Sequence, residues 1–296
     1  LEFRRVLFRS PNLYRACGDE RIPLAIINGR LSERSARGYG RLRHLTTDTL
    51  QHVSMIAAQT SEDGQRFVEI GARPETISVM GNIKFDYRVP GGLAEGGAVL
   101  RRQLFGSRPV WIAASTHKGE EEQVLDALES VRLVVRDLIL VLVPRHPERF
   151  SGVASICEQR GFELVRRSDD RACSGSTCVF LLDAMGELKQ FYATADLAYI
   201  GGSLVKKGGQ NPLEACALGV PTIFGPHVFN FRKIAASLVE VGAAIQVADS
   251  KALGLQCIRL LEDTDCRVSM GKAGRTFVAS NRGAVHKVME LLGSHL

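Results

Sequence analysis

The sequence contains no hydrophobic run long enough to cross a membrane. Its apolar runs, such as Leu-Ile-Leu-Val-Leu-Val at 138–143, have the length of a β-strand. A membrane-spanning helix needs about 20 consecutive apolar residues. We therefore expect no transmembrane segment within this chain.

The cysteines lack the spacing of a metal site or of a disulfide framework. There are seven of them, an odd number, and none belongs to a Cys-x-x-Cys pair. Cys173 and Cys178 lie close together, but no second pair and no nearby histidine completes a zinc site. We expect a reducing compartment and no metal ligand.

Aromatic residues are also few, at 6% of 296 residues. Such a composition argues against a groove for single-stranded nucleic acid, and we expect no nucleic-acid partner. No Gly-x-Gly-x-x-Gly motif opens a βαβ unit, which argues against a nicotinamide dehydrogenase. The net charge of +6, with a pI near 9.0, favours anionic partners such as nucleotides, phosphorylated lipids or an anionic membrane surface.

Predicted strands and helices alternate along most of the chain. Apolar segments rich in β-branched residues predict ten strands, at 24–28, 53–59, 76–80, 110–114, 138–143, 162–165, 179–182, 197–200, 221–224 and 243–247. Helical segments lie between most of them, a pattern typical of a doubly wound α/β fold with parallel sheets. The hydrophobic fraction of 45% is ample for packed cores.

A turn-rich stretch at 89–97, Val-Pro-Gly-Gly-Leu-Ala-Glu-Gly-Gly, separates two series of strands. About three strands precede it, too few for a doubly wound domain with both faces covered, and a complete unit follows. We predict that residues 11–90 are part of an incomplete N-terminal domain and that residues 91–296 form the second domain. Residues 1–10 repeat a Phe-Arg theme without a cap or turn, and we predict that they are foreign to the native gene.

The segment at 198–215 is the most informative in the chain. An apolar strand runs into two glycine pairs and two lysines, and then into a helix start. Asn211 as N-cap, Pro212 and Glu214 form the pattern of a capping box. Glycines and a helix start together favour a phosphate held on backbone N–H groups, although a loop that merely turns is the alternative. The residues concerned include Gly201, Gly202, Gly208, Gly209, Lys206 and Lys207.

Polar and basic residues follow several other predicted strands, at the sheet edge where doubly wound domains bind ligands. Singly, each could cap a helix or be a hydrogen-bonded loop histidine; together they favour a cleft. They are Ser115, Thr116, His117, Arg145, Met185, Gly186 and Glu187. In the N-terminal part, Arg30, Arg34 and Arg37 would share one helical face, suited to phosphate or carboxylate or simply solvated, and Lys84 could reach into an interdomain cleft.

These motifs resemble the 3-deoxy-D-manno-octulosonic acid (Kdo) transferase family. The resemblance runs from residue 11 to the C-terminal helices and includes Ala-Ser-Thr-His-Lys-Gly-Glu-Glu-Glu at 114–122 and Met-Gly-Glu-Leu at 185–188. It implies a GT-B fold of two Rossmann-like doubly wound domains with the active site between them. It also implies transfer of Kdo from CMP-Kdo to a lipid A precursor on the cytoplasmic face of a Gram-negative inner membrane, with no cofactor beyond the donor.

The resemblance also implies roles for individual residues. The glycine loop, with Ser203 and Asn211, would hold the CMP phosphate, and Glu214 would hydrogen-bond the ribose. Met185, Gly186 and Glu187 would border the cytosine. Arg145, Lys84, Arg30 and Arg34 are candidates for the phosphate or the Kdo carboxylate, and Ser115, Thr116 and His117 would line the same cleft.

The chain departs from the family pattern at several places. Leu182-Asp183-Ala184 stands where Gly-Asp-Thr is usual, and Gln210 stands where histidine is common. The segment that carries the family's catalytic glutamate has no counterpart, so no general base is assigned and we expect an inactive fragment that retains part of a nucleotide site. The alternatives are another GT-B enzyme that uses a UDP-sugar, including a sugar-nucleotide epimerase, and a non-catalytic protein that binds an anionic lipid.

Overall fold

The chain divides into two units, which are described separately. The first unit contains residues up to Asp86 together with residues from Asn281 onward, and the second contains Tyr87–Ser280. The structure is a computed structural model that describes residues 10–293. The prediction that residues 1–10 are foreign therefore lies, except for Ser10, outside the described residues.

The first unit is built on a small parallel sheet. Its strands are β1 (Ala25–Gly29), β2 (Met55–Ala58) and β3 (Ile77–Val79), in the order β1-β2-β3. Its helices are α1 (Pro11–Asp19), α2 (Glu33–Gly40), α3 (Arg43–Gln51), α4 (Ser61–Glu69) and, from the end of the chain, α13 (Ala284–Gly293). Strand β2 is buried along its whole length, as expected for the central strand of a parallel sheet covered on both faces.

Helix α2 begins later than the arginine spacing predicted. The Ser32 side chain accepts a hydrogen bond from the backbone N–H of Ser35, so Ser32 caps the helix and Glu33 is its first residue. Arg30 consequently lies in the loop before the helix. The prediction that it shares a helical face with Arg34 and Arg37 is therefore wrong.

The C-terminal helix belongs to the first unit. The Asp86 carboxylate accepts hydrogen bonds from the backbone N–H groups of Gly283 (2.5 Å) and Val285 (2.6 Å), which stabilises the start of α13. Val288 then packs against Met55 and Ala57 of β2. The predicted second domain, 91–296, differs from the second unit for this reason.

The second unit contains a seven-stranded sheet in which every pair of neighbouring strands is parallel. Its order is β10-β9-β8-β4-β5-β7-β6, with β4 (Val110–Thr116), β5 (Ile139–Pro144), β6 (Leu164–Arg166), β7 (Val179–Leu181), β8 (Leu197–Ile200), β9 (Thr222–Phe224) and β10 (Ala244–Gln246). Its helices are α5 (Leu93–Phe105), α6 (Glu121–Arg132), α7 (Phe150–Gln159), α8 (Leu188–Tyr192), α9 (Leu213–Leu218), α10 (Arg232–Glu240), α11 (Ser250–Glu262) and α12 (Thr264–Ser280). All ten predicted strands are confirmed.

Strand β4 lies in the middle of this sheet, between β5 and β8. Trp111 on β4 and Tyr199 on β8 are both fully buried in one core beneath α6 and α11. Because the strands are parallel, the loops that leave their carboxyl ends meet at one edge. The loops after β4, β5, β7, β8 and β9, which carry most of the predicted site residues, therefore lie at the same edge.

The stretch at 89–97 is not simply a turn. Helix α5 begins inside it, and Gly92, at φ 77°, occupies the position before the helix. A Cβ on Gly97 would lie 2.3 Å from the Cβ of Ala193, so this glycine allows α5 to pack closely against the end of α8. In the second glycine pair of this stretch, Gly96-Gly97, Gly97 is therefore a helix-packing residue and not a turn residue.

Within residues 10–293, none of the helices combines the length and the apolar character needed to span a bilayer.

Candidate nucleotide-binding site

The glycine loop starts where β8 approaches β4 very closely. The Gly201 N–H donates to the Ala114 carbonyl at 2.8 Å. A Cβ on Gly201 would lie 2.5 Å from the Ser115 carbonyl oxygen, and Ser115 itself has a positive φ of 57°. Gly201 is therefore required for this backbone contact, which brings the loops after β4 and β8 together.

The backbone N–H groups that follow Gly201 are occupied by a buried carboxylate. Glu120 accepts hydrogen bonds from Gly202 N (2.6 Å), Ser203 N (3.0 Å) and Leu204 N (3.0 Å). It also accepts from the hydroxyl of Tyr199 and from its own loop at His117 N (3.0 Å). Glu120 is fully buried, and these donors compensate for the removal of its charge from water.

Ser203 extends the same network to the loop after β9. Its hydroxyl donates to the Ile200 carbonyl (2.5 Å) and accepts from the backbone N–H of Gly225 (2.8 Å). Ser203 is fully buried. We call Glu120, Tyr199 and Ser203 the Glu120 network, because hydrogen bonds to these three side chains tie together the loops after β4, β8 and β9.

This geometry corrects the predicted phosphate cradle. The N–H groups of Gly202 and Ser203 point to Glu120, an internal anion, and the Ser203 hydroxyl is committed to the backbone. Thr116 is likewise buried and donates to Glu121 at 3.2 Å, and Glu121 forms an ion pair with Arg149 at 2.9 Å. The polar groups of Gly202, Ser203 and Thr116 consequently stabilise the loops themselves.

A basic group of side chains lies next to the network. The His117 ring meets the His146 ring edge-on, with 5.5 Å between centroids, and a Cβ on Gly202 would lie 3.2 Å from the His117 ring. Burial lowers the pKa of His117, the charge of Glu120 opposes this shift, and His146, Lys207 and Arg145 reinforce it. His117 is thus neutral near pH 7.

Gln210 contacts the ring of this histidine. Its side-chain amide nitrogen lies 3.0 Å from Nε2 of His117. The direction of this hydrogen bond depends on the tautomer of His117. The glutamine that stands where histidine is common in the family is in hydrogen-bond contact with the predicted site residue His117.

Helix α9 starts without the predicted capping box. The Asn211 side chain accepts from Leu213 N at 3.1 Å, and Pro212 occupies the N-cap position. Within residues 10–293, Glu214 has no hydrogen-bond partner, so its carboxylate does not return to the backbone of Asn211. Burial raises the pKa of Glu214, and the charge of Lys189 opposes that shift.

The loop between β7 and α8 presents Met185 and Gly186 to the surface. Met185 is 62% exposed, and Gly186 has a positive φ of 88°. Glu187 is held by Arg167 at 2.9 Å, and Asp183 accepts from Ser168 N at 2.9 Å. Glu187 and Asp183 therefore hold the loop in place through these contacts, while Met185 is exposed and could contact a ligand.

In the first unit, Arg30 and Lys84 come close together. Asn28, at the end of β1 with φ 58°, accepts from Ile83 N at 3.3 Å and joins the two loops. Burial and the charge of Arg30 lower the pKa of Lys84. Arg34, the third predicted basic contact of this unit, is exposed on α2.

Three side chains of the second unit were not identified from the sequence. Glu120 is one: it lies in the motif at 114–122, but the sequence carries no sign of its role. The others are Tyr87 and Lys189: the Lys189 amino group lies 5.1 Å from the centroid of the Tyr87 ring, and the charge of Glu214 contributes to a raised pKa at Tyr87. No sequence pattern indicates that contact.

Comparison with known proteins places this arrangement in a family. A family described as "3-Deoxy-D-manno-octulosonic-acid transferase (kdotransferase)" matches residues 10–87, and one described as "Glycosyl transferases group 1" matches residues 121–277. A 3-deoxy-D-manno-octulosonic acid transferase of Haemophilus influenzae is 41% identical over 97% of this chain and 67% of that protein. The chain belongs to the Kdo transferase family. The Bordetella pertussis protein of the same name is 35% identical over 95% of this chain and 66% of its own length.

The chain thus spans about two thirds of the length of these Kdo transferases. Among solved structures, the C-terminal CMP-Kdo binding domain of WaaA from Acinetobacter baumannii is 34% identical, with a TM-score of 0.60, over 62% of this chain and 97% of that domain. HepE of Anabaena, in complex with UDP-glucose, is 18% identical with a TM-score of 0.58 over 98% of this chain and 77% of that one, which shows the fold alone. The predicted family and the GT-B fold with Rossmann-like domains are confirmed.

Proposed function

We propose that this Kdo transferase family member acts in the transfer of Kdo from CMP-Kdo to a lipid A precursor, a step of lipopolysaccharide biosynthesis. The observation that carries the proposal is the similarity to the WaaA CMP-Kdo binding domain, at 34% identity over 97% of that domain. The site at the edge of the seven-stranded sheet adds physical support. It combines the positive charges of Arg145 and Lys207 with the exposed loop at Met185. It also contains the Glu214 carboxylate, which has no hydrogen-bond partner within residues 10–293.

The donor phosphate is assigned to side chains. Because Glu120 occupies the N–H groups of Gly202, Ser203 and Leu204, an anion there would compete with an internal carboxylate. Arg145 and Lys207 are exposed and supply permanent charge near His117. A bound phosphate would also favour protonation of His117 and so add a third cation.

The nucleoside is assigned to the two short helices beside these cations. Glu214, in the first turn of α9, would accept a hydrogen bond from the ribose. Met185 and Gly186, before α8, would border the cytosine, with Glu187 holding their loop through Arg167. Ser115 and Asn211 complete the edge of the site; Thr116 and Ser203 support it from beneath.

The chemistry suits such a site because the donor carries its own leaving group. The bond between the anomeric carbon and the phosphate oxygen breaks, and CMP leaves with the electron pair. The acceptor hydroxyl oxygen forms the new bond and loses its proton to a base. Arg145, Lys207 and a protonated His117 would stabilise the charge that develops on the phosphate, and no residue of this chain is assigned as the base.

The acceptor and the location belong to the same proposal. Lys84 and Arg30, with Arg34 on α2, would contact phosphate or carboxylate groups of the substrates from the first unit. The net charge of +6 would favour an anionic membrane surface, and the site of action proposed is the cytoplasmic face of the inner membrane. No cofactor besides the donor is proposed.

Calorimetric titration of the 296-residue chain with CMP, UMP and AMP tests the donor assignment. We expect CMP to bind most tightly, and Arg145→Gln to weaken CMP binding about tenfold or more, since a charge-assisted hydrogen bond is lost. Arg136→Gln, a change at an exposed arginine after α6, is the matched control and should leave the affinity unchanged. Equal or tighter binding of UMP would instead favour an enzyme that uses a UDP-sugar.

A further inference from the structure

The Tyr87 hydroxyl is a buried polar group without a hydrogen-bond partner within residues 10–293. A buried hydroxyl that lacks a partner destabilises the fold. Such a group needs an explanation, and a functional role is one of them. Its surroundings in the second unit indicate which ligand that would be.

Three side chains with complementary chemistry converge here. Lys189 on α8 lies over the Tyr87 ring, with its amino group 5.1 Å from the centroid. Glu214 lies on the neighbouring α9, and its charge contributes to the raised pKa of Tyr87, after burial. The charge of Lys189 counters the effect of burial on Glu214 and favours its ionised form.

The charge of Glu214 acts on the Tyr87 hydroxyl, and the two groups form no hydrogen bond with each other. Tyr87 offers a donor and Glu214 an acceptor, and no hydrogen bond connects them. A ligand with two adjacent hydroxyl groups would satisfy both, because one hydroxyl can donate to the carboxylate while the other accepts from the phenol. A ribose carries that pair of hydroxyls at its 2′ and 3′ positions, and a deoxyribose does not.

We propose that Tyr87 is a nucleotide-binding residue that donates to a ribose hydroxyl, beside Glu214, and makes the site selective for ribonucleotides over deoxyribonucleotides. This inference rests on the proposed function, since it assumes that CMP binds beside α8 and α9. Lys189 acts as a positioning residue: it fixes the Tyr87 ring by a cation–π contact and keeps Glu214 in its accepting form.

The test is calorimetric titration of the 296-residue chain with CMP, 2′-deoxy-CMP and 3′-deoxy-CMP. We expect at least one deoxy analogue to bind about five- to tenfold more weakly than CMP, the loss typical of one hydrogen bond. Tyr87→Phe keeps the ring and removes only the hydroxyl. It should weaken CMP binding by the same factor and leave the affinity for the discriminated analogue unchanged.

The matched control is Tyr14→Phe, which removes the hydroxyl of a buried tyrosine in the first unit. Its CMP affinity should equal that of the unchanged chain. Lys189→Met keeps the approximate length of the side chain and removes the charge. It should weaken the binding of CMP more than the binding of the deoxy analogue that the unchanged chain binds less tightly. Melting temperatures of all variants confirm that they are folded.

The outcomes separate this inference from the proposed function. If the unchanged chain binds no CMP, the donor assignment fails and the role of Tyr87 fails with it. If CMP binds but Tyr87→Phe retains the full preference for CMP over both deoxy analogues, the role of Tyr87 alone is overturned. Equal weakening of CMP and of both analogues by Tyr87→Phe would also overturn it, because that result indicates a structural effect.

Discussion

The two halves of the segment 201–214 differ in how their polar groups are satisfied. In the first half, the N–H groups of Gly202, Ser203 and Leu204 all donate to Glu120. In the second half, Glu214 has no hydrogen-bond partner within residues 10–293, and the same is true of the Tyr87 hydroxyl near it. The N–H groups of the glycine loop are thus used within the fold, whereas the start of α9 is the half to which the proposed function assigns a ligand.

The largest expected effect follows from removing the internal anion. Glu120→Ala would leave several buried donors without a partner, including Tyr199 and two or more backbone N–H groups. We expect a loss of about 3–5 kcal/mol in the free energy of unfolding. The melting temperature should fall by at least about 6 °C for a unit of this size.

Glu122→Ala is the matched control, because Glu122 lies two positions further along but is exposed. It should change the melting temperature little. If the two variants melted alike, Glu120 would not be holding the loops, and the contrast between the two halves of the segment would fail. Glu120→Gln, which keeps one accepting oxygen, should fall between them.

The second effect in size concerns the contact that starts the loop. Gly201→Ala would place a methyl group 2.5 Å from the Ser115 carbonyl oxygen, so that β4 or β8 must shift. We expect a loss of about 1–3 kcal/mol, as for other overpacking substitutions. Denaturant titration measures this change.

Gly152→Ala is the control for that substitution, since a Cβ there would meet no atom within 4 Å and the residue is in α7. It should leave stability unchanged or raise it by a few tenths of a kcal/mol, since alanine is the better helix former. An equal loss in both variants would show that Gly201 is not needed for close approach.

The strands were predictable from the sequence, whereas the hydrogen-bond partners of the buried Glu120 carboxylate were not. Each strand is a short run of apolar residues, and a parallel sheet buried on both faces requires that pattern. The role of Glu120 depends instead on N–H groups 82–84 residues further along the chain. Local spacing carries no information on such a partner.

For the same reason, the glycine motif did not indicate that its N–H groups donate to Glu120. The sequence showed glycines, lysines and a helix start, which together favour an anion on backbone N–H groups. The anion is present, but it is the Glu120 side chain of the same protein. The predictions for His117 and Arg145, by contrast, rest on a rule of topology, that residues after parallel strands meet at one sheet edge.

The titration of Glu214 should also change the stability of the ligand-free chain, by a smaller amount. The raised pKa of Glu214 means that the folded chain holds its proton more tightly than the unfolded chain does. That contribution to stability is present at low pH and is lost as the pH rises through the folded pKa. At neutral pH the ionised carboxylate therefore costs some stability, and solvent reduces the cost because Glu214 is only partly buried.

Glu214→Gln should consequently raise the melting temperature by about 1–2 °C at pH 7.5, and the gain should shrink toward about pH 4.5. Glu122→Gln, at an exposed position, should show no such dependence on pH. A lower melting temperature for Glu214→Gln at neutral pH would mean that the carboxylate holds the fold, as a capping residue does. The start of α9 would then resemble the glycine loop, and a carboxylate committed to the fold could not also be the open acceptor for a ribose.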